Sequence, residues 1–286
     1  MSAALRVLIV DGNTRDYNAK KIAYGGSAAA EQFAAVLQGI DASVACTILR
    51  PAYDNAPALP AGVALGDFHG VAWTGSGLSL CDPETPAVAR QVGLARSLLR
   101  GGVPVFGSCW GLQLAAVALG GSVRRNPKGR EIGIARRIVC TDAGAAHPMY
   151  RHKAKVFDAI AVHVDEVASA PIGMRILARN AMSDIQAAQI DEGAGRSVFW
   201  GVQYHPEYDF REIASSLRRA RAPMIAEGLV RTEDELDTYA AELIALQDER
   251  GRTDLAWRHG LDATVLDPAA RHAELRAWLD FISRRS

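Results

Sequence analysis

Two short stretches of this chain carry residues able to do covalent chemistry. The first is Gly107-Ser108-Cys109-Trp110-Gly111-Leu112-Gln113. A brief apolar run from Val103 to Phe106 leads into it, and an Ala/Leu-rich helical pattern from Leu112 to Leu119 leads out, closed by Gly120-Gly121. That order spells a strand, a tight elbow and a helix. Glycines flank the cysteine because a Cβ at either position would collide in so sharp a turn. The thiol of Cys109 is thereby pushed to the tip, at a helix N-terminus, where unpaired N–H groups and the helix dipole favour negative charge. The expectation is a depressed thiol pKa, as a nucleophile needs. Cys46, Cys81 and Cys140 lack this setting and read as small buried hydrophobes.

The second stretch is His205-Pro206-Glu207, at the end of an apolar run from Ser197 to Tyr204. A histidine at a strand end can act as general base for Cys109, and Glu207 can bind its other ring nitrogen and fix the tautomer. Alone, such a triplet reads as an ordinary loop. Following a cysteine elbow in the same sheet, it completes a Cys/His/Glu triad if the two strand ends are neighbours. A third stretch, Thr74-Gly75-Ser76-Gly77, is a turn after the strand Val71-Ala72-Trp73. Backbone N–H groups of Gly75 and Trp110 are then placed to converge on an oxyanion beside Cys109. His163, in His163-Val164-Asp165-Glu166, is a candidate to reach a substrate, whereas His147 and His152, either side of Pro148, have no metal-pair spacing and read as surface residues.

The elements that must position these residues form an α/β pattern. Leu5–Val10 reads as a buried parallel strand, followed by a long polar connection through Tyr17, Lys20, Lys21 and Tyr24. Ser27 is the candidate N-cap of a helix from Ala28 to Gln38, and Ser43–Leu49 is a second strand. A Pro/Ala-rich loop covers 51–66, and a helix from Glu84 to Arg100 precedes the elbow. Ser122–Cys140, Ala161–Val164, Met174–Ala178 and Ile185–Ile190 alternate as strands. In such a sheet, ligands bind beyond the carboxyl ends of the strands, where Gly75, Cys109 and His205 would stand. From Phe210 the pattern turns helical. Thr232-Glu233-Asp234-Glu235 is a capping box, and Asp267-Pro268 opens a last helix with Leu275, Trp278, Leu279 and Ile282 on one face. This divides the chain into a domain over 1–209 and a helical extension over 210–286. The extension is open to three uses: packing on the main domain, a homo-oligomer interface, or docking of another chain.

The 286 residues are 49% hydrophobic and 22% charged, the balance of a globular protein with a sizeable core. Equal counts of basic and acidic residues, 32 each, leave no net field to draw a nucleic acid. Four cysteines without a Cys-x-x-Cys pair argue against a disulfide framework or structural zinc. No secretory signal opens the sequence and no run nears the ~18 apolar residues of a membrane span, so a cytoplasmic location is expected, with no membrane partner.

Taken together, Gly107–Gln113, Thr74-Gly75-Ser76 and Gly201-Val202-Gln203-Tyr204-His205-Pro206-Glu207 resemble the class I glutamine amidotransferases, above all stand-alone domains similar to the glutaminase part of GMP synthase. The likeness covers about Leu5 to Tyr208. It implies a mostly parallel open sheet flanked by helices, of flavodoxin-like type, and hydrolysis of the glutamine amide through a γ-glutamyl thioester. Carried over by position, Cys109 is the nucleophile, His205 the base and then acid, and Glu207 the orienting carboxylate. Gly75 and Trp110 supply the oxyanion hole, and Gln113, with His163 and Asp165 of the loop, holds the substrate. Val164 replaces a customary glycine of that loop, leaving room for another γ-glutamyl substrate. No cofactor or metal is implied. The chain lacks a Walker A pattern and a Ser-Gly-Gly-x-Asp-type phosphate loop, so it does not activate an acceptor with ATP itself. Three readings follow: delivery of ammonia to a separate synthetase chain; hydrolysis of γ-glutamyl amides or peptides by the chain alone; or a silent binding module on the same fold.

Overall fold

A computed structural model describes residues 4–54, 59, 62–82, 84–191, 197–249 and 251–285. Part of the 51–66 loop therefore lies outside the described residues. The strands are β1 (Arg6–Val10), β2 (Ala45–Leu49), β3 (Gly70–Trp73), β4 (Val105–Ser108), β5 (Ser122–Arg125), β6 (Glu131–Cys140), β7 (Val156–His163), β8 (Asp165–Ser169), β9 (Met174–Arg179), β10 (Ala187–Ile190) and β11 (Phe199–Val202). Among the described residues, nine of them form one sheet in the order β2-β1-β3-β4-β11-β10-β9-β6-β7, and β5 pairs with β8 separately. The first five of that order run parallel, and the rest continue antiparallel. This is a mixed α/β sheet flanked by helices, with further helices after residue 209.

The alternation of β1 shows how the layers arise. Val7 and Ile9 face a core shared with Phe33, Phe106 and Trp278, while Leu8 and Val10 face a second core with Trp73, Val92 and Phe199. A strand buried on both faces is an unbroken apolar run, as Val7–Val10 is. Helix α2 (Ala29–Ile40) covers the first face, and α3 (Pro86–Arg100) and α4 (Trp110–Ala118) the second. The helix Ala273–Ser283 also belongs to the first core: Leu275, Trp278 and Ile282 are all buried there. The helices Phe210–Arg219 and Glu233–Asp248 form a third core over β6 and β7.

Several local expectations are corrected. The polar stretch after β1 is a helix, α1 (Arg15–Ala23), capped by Thr14. It has almost no apolar stripe because the side chains it buries are Asn18 and Lys21, so periodicity gave no sign of it. Ser27 is not the N-cap of α2. Ala28 is, and the Ser27 N–H donates to the Glu212 carboxylate. The capping box is half formed: Thr232 Oγ1 accepts from the Glu235 N–H, but the Glu235 carboxylate accepts from Arg231 instead. The last helical stretch is broken at His272, giving Pro268–Arg271 and then Ala273–Ser283. Cys81 is exposed and Cys46 and Cys140 are half-buried, so none of the three is a fully buried core thiol. His147 is no surface residue. It is 5% exposed, edge-on to Trp200 at 4.8 Å.

Candidate active site

The elbow forms between β4 and α4. Cys109 has φ 50° and ψ −98°, a left-handed backbone that a non-glycine residue adopts only when its surroundings impose it. Its N–H donates to the Val202 carbonyl at 2.7 Å and its carbonyl accepts the Gln113 N–H at 3.1 Å, so β11 on one side and α4 on the other fix it. The flanking glycines are required by contact. A Cβ on Gly107 would lie 2.7 Å from the Gly111 carbonyl carbon, and one on Gly111 would lie 3.1 Å from Trp73.

β11 lies beside β4 with Val202 opposite Ser108, so the two chains leave the sheet at the same level. Three residues past the end of β11, the His205 N–H is tied to the Ile160 carbonyl at 2.8 Å. Its Nδ1 is 2.7 Å from Glu207 Oε1, both residues being buried. The other carboxylate oxygen, Oε2, accepts the Ser108 hydroxyl at 2.9 Å. Glu207 thus bridges the histidine to the residue before the cysteine. Its own carbonyl accepts from Gln32 Nε2 at 2.9 Å, which links the bridge to α2. The Tyr208 ring stacks on His205 at 4.1 Å, and the Lys21 ammonium contacts the Tyr208 hydroxyl at 3.2 Å and Glu212 at 3.3 Å.

The Gly75 turn packs against the same histidine. A Cβ on Gly75 would lie 2.5 Å from His205 Cε1. Asn13 helps hold this turn, because its Oδ1 accepts the Gly77 N–H at 2.9 Å. Behind the elbow, the Trp110 indole donates to Gln91 Oε1 at 2.9 Å, and Gln91 Nε2 donates to the Gly12 carbonyl at 3.1 Å.

The electrostatics overturn one expectation. Burial, then the nearby Glu207 charge, pushes the Cys109 thiol up to about 12; the Trp110 N–H and the Gln203 side chain oppose this without reversing it. The helix terminus is present, but desolvation outweighs it. The residue is 6% exposed, and its thiol donates to the Val162 carbonyl at 3.6 Å.

Gln113 and Asp165 meet: Gln113 Nε2 donates to the Asp165 carbonyl at 2.9 Å and to Gln203 Oε1 at 3.2 Å. The Asp165 carboxylate receives the Ser79 hydroxyl and faces Arg125 at 3.2 Å. His163 is buried with both ring nitrogens engaged, Nε2 to Glu131 at 2.8 Å and Nδ1 to the Asp165 carbonyl at 3.1 Å. Burial alone would raise the Glu131 carboxyl, but His163, Asn180 and Gln186 together hold it below the ordinary range. Ser108, Gln203 and Tyr208 join the site without having been singled out, although all three lie inside or beside the motifs. Among the described residues no group of three or more His, Cys, Asp or Glu could hold a metal ion, and no helix is long and apolar enough to cross a membrane.

The sheet order and the elbow at its centre define the fold of the class I glutamine amidotransferases, and similarity to known proteins agrees. Residues 81–220 match the family described as Glutamine amidotransferase class-I. The chain is 34% identical over 284 residues to a γ-glutamyl-L-1-hydroxyisopropylamide hydrolase of a Pseudomonas species, covering 97% of this chain and 93% of that one. It is 38% identical over 106 residues to the glutamine-hydrolysing GMP synthase of Symbiobacterium thermophilum, but that match spans only 19% of the synthase. The crystal structure of a glutamine amidotransferase from Thermotoga maritima superposes with a TM-score of 0.66 over 98% of both chains, at 16% identity. The chain belongs to the class I glutamine amidotransferase family, and it is a hydrolytic enzyme of that family.

Proposed function

We propose that this enzyme hydrolyses the γ-amide of γ-glutamyl amines by itself, releasing glutamate and the free amine. The observation that carries this reading is the end-to-end likeness to a γ-glutamyl amide hydrolase, over 97% of this chain and 93% of that one, whereas two GMP synthase matches span 37% and 67% of this chain and only 19% and 34% of the synthases. In the proposed mechanism His205, with Nδ1 held by Glu207, uses Nε2 to take the Cys109 proton as the sulfur attacks the γ-carbon. The resulting oxyanion is received by the backbone N–H groups of Gly75 and Trp110. Collapse breaks the C–N bond, His205 returns the proton to the leaving amine, and a γ-glutamyl thioester remains. Water, giving its proton to His205, cleaves the thioester and restores the thiol.

A thiol with so high a pKa is neutral before substrate binds, so proton transfer and attack belong to one event, with Gln203 favouring the developing thiolate. Gln113 and Asp165 shape the substrate side. We assign His163 to holding that loop, because both its nitrogens are already engaged.

The test is turnover by the purified chain of glutamine and of γ-glutamyl amides of small amines, with Cys109→Ala as control. A substituted amide hydrolysed faster than glutamine, and not at all by the variant, supports the proposal. Near-silence until a second protein is added supports the other reading, ammonia delivery to a separate synthetase, which the partial GMP synthase likeness favours.

A further inference from the structure

One residue removed from Cys109 lies a cavity of about 480 Å³ whose walls include Tyr17, Lys20, Tyr24, Arg130, Val162 and Arg219. Two contacts connect it to the reacting atoms. Val162 supplies the carbonyl 3.6 Å from Cys109 Sγ. Tyr17 lies on the turn that carries Gly75, so closely that a Cβ on Gly77 would fall 2.0 Å from its ring. Through these two residues the cavity adjoins both Cys109 and the turn that carries Gly75.

Its charge is one-sided. Among the described residues, three cations line it and no Asp or Glu does. Arg130 is neutralised in part by Glu227 at 3.0 Å. Lys20 and Arg219, by contrast, have no carboxylate within 4.0 Å among the described residues. The Arg219 guanidinium lies over the Tyr17 ring, its Cζ 4.9 Å from the ring centroid, and donates one N–H to Ser216 at 2.9 Å, while its buried Nε has no hydrogen-bond partner. A guanidinium fixed in place at a cavity wall, with no carboxylate partner of its own, is a ready receptor for a planar anion.

We propose that this cavity is the subsite for the amine portion of the substrate, and that Arg219 and Lys20 there select γ-glutamyl amides whose amine bears a carboxylate, such as γ-glutamyl amino acids. The assignment rests on the hydrolase reading above and narrows it. A neutral amine leaves both cations without a counter-charge, so the class of substrate differs from small uncharged alkylamides.

γ-Glutamylglycine and γ-glutamylglycinamide are nearly isosteric and differ in that charge alone, so they form the test. The wild-type kcat/KM is expected to favour γ-glutamylglycine by about 10-fold or more, the scale of a hydrogen bond to a charged group. Arg219→Gln and Lys20→Gln should each shrink that ratio; Lys20 is exposed, so its variant keeps the fold. A wild-type ratio near one overturns the proposal. So does an equal loss on both substrates, which would place the glutamyl α-carboxylate in the cavity instead. Calorimetric binding of the two compounds to Cys109→Ala separates this idea from the reaction itself. If that variant binds γ-glutamylglycine more tightly while the wild type hydrolyses neither compound, the cavity assignment stands and the hydrolase reading falls; equal affinities remove the cavity assignment.

Discussion

At Cys109 two physical effects compete, and their outcome sets how the residue behaves. The sulfur sits at a helix N-terminus, which favours the thiolate, yet it is sealed from water and lies near Glu207, which together raise its pKa to about 12. Alkylation of Cys109 by iodoacetamide, followed by peptide mass spectrometry, is expected to quicken about tenfold per unit between roughly pH 7 and pH 10 without levelling. A plateau below neutrality would contradict the buried setting. Glu207 is the second decisive residue, since one oxygen orients His205 and the other holds Ser108. Glu207→Gln keeps the shape but not the charge, and is expected to lower kcat by about a hundredfold or more with a near-normal melting temperature. The motifs singled out both residues. They did not reveal the sign of the thiol shift, because desolvation depends on everything packed around the sulfur. The same holds for His147, which the letters placed at the surface and the fold buried against Trp200.

Among the elements, the site depends on loops meeting at three strand ends, and glycine decides whether they can. Gly75→Ala would put a methyl 2.5 Å from the His205 ring. Loss of activity by about a hundredfold is expected with little loss of stability, because the ring moves more easily than the sheet. Gly107→Ala meets backbone at 2.7 Å instead, and is expected to destabilise the fold by about 2 kcal/mol. Urea midpoints together with kcat/KM separate the two outcomes. Strands and the elbow were readable from apolar runs bounded by glycine. Helix α1 was not, since Lys21 and Asn18 are buried through polar partners, Tyr208 and Asp11 among them, that lie far away in sequence or carry no periodicity.

For the whole molecule, the helix Ala273–Ser283 is part of the main core. The Trp278 ring packs tilted against Phe106 of β4, centroids 5.9 Å apart, and covers Gly70 of β3. Trp278→Ala is expected to cost about 3–5 kcal/mol, read from chemical denaturation. Glu274 on the same helix accepts the Tyr204 hydroxyl at 2.6 Å and pairs with Lys153 at 2.6 Å, which fastens it to the residue before His205. A fragment ending before Ala273 is accordingly expected to lose the site as well as stability. The apolar stripe of this helix was visible in the sequence, but which surface it covers depends on the closed fold. Stability also depends on pH. Burial and the nearby Arg175 charge lower the His147 pKa to about 4, against an ordinary value of 6.5. Between these values the unfolded chain binds the proton and the folded one does not, so stability is full above about pH 6.5 and falls towards pH 4. The loss approaches about 3 kcal/mol for this residue. Urea midpoints across that range should fall less steeply in His147→Asn.

The seclusion of Cys109, the proposed nucleophile, has a consequence for durability. Peroxide attacks thiolates that it can reach, and Cys109 is only 6% exposed, with burial pushing its thiol up to about 12. The exposed Cys81 is expected to be oxidised before the buried Cys109. The enzyme is therefore built to survive oxidants that would silence a catalyst whose thiolate is permanently on display.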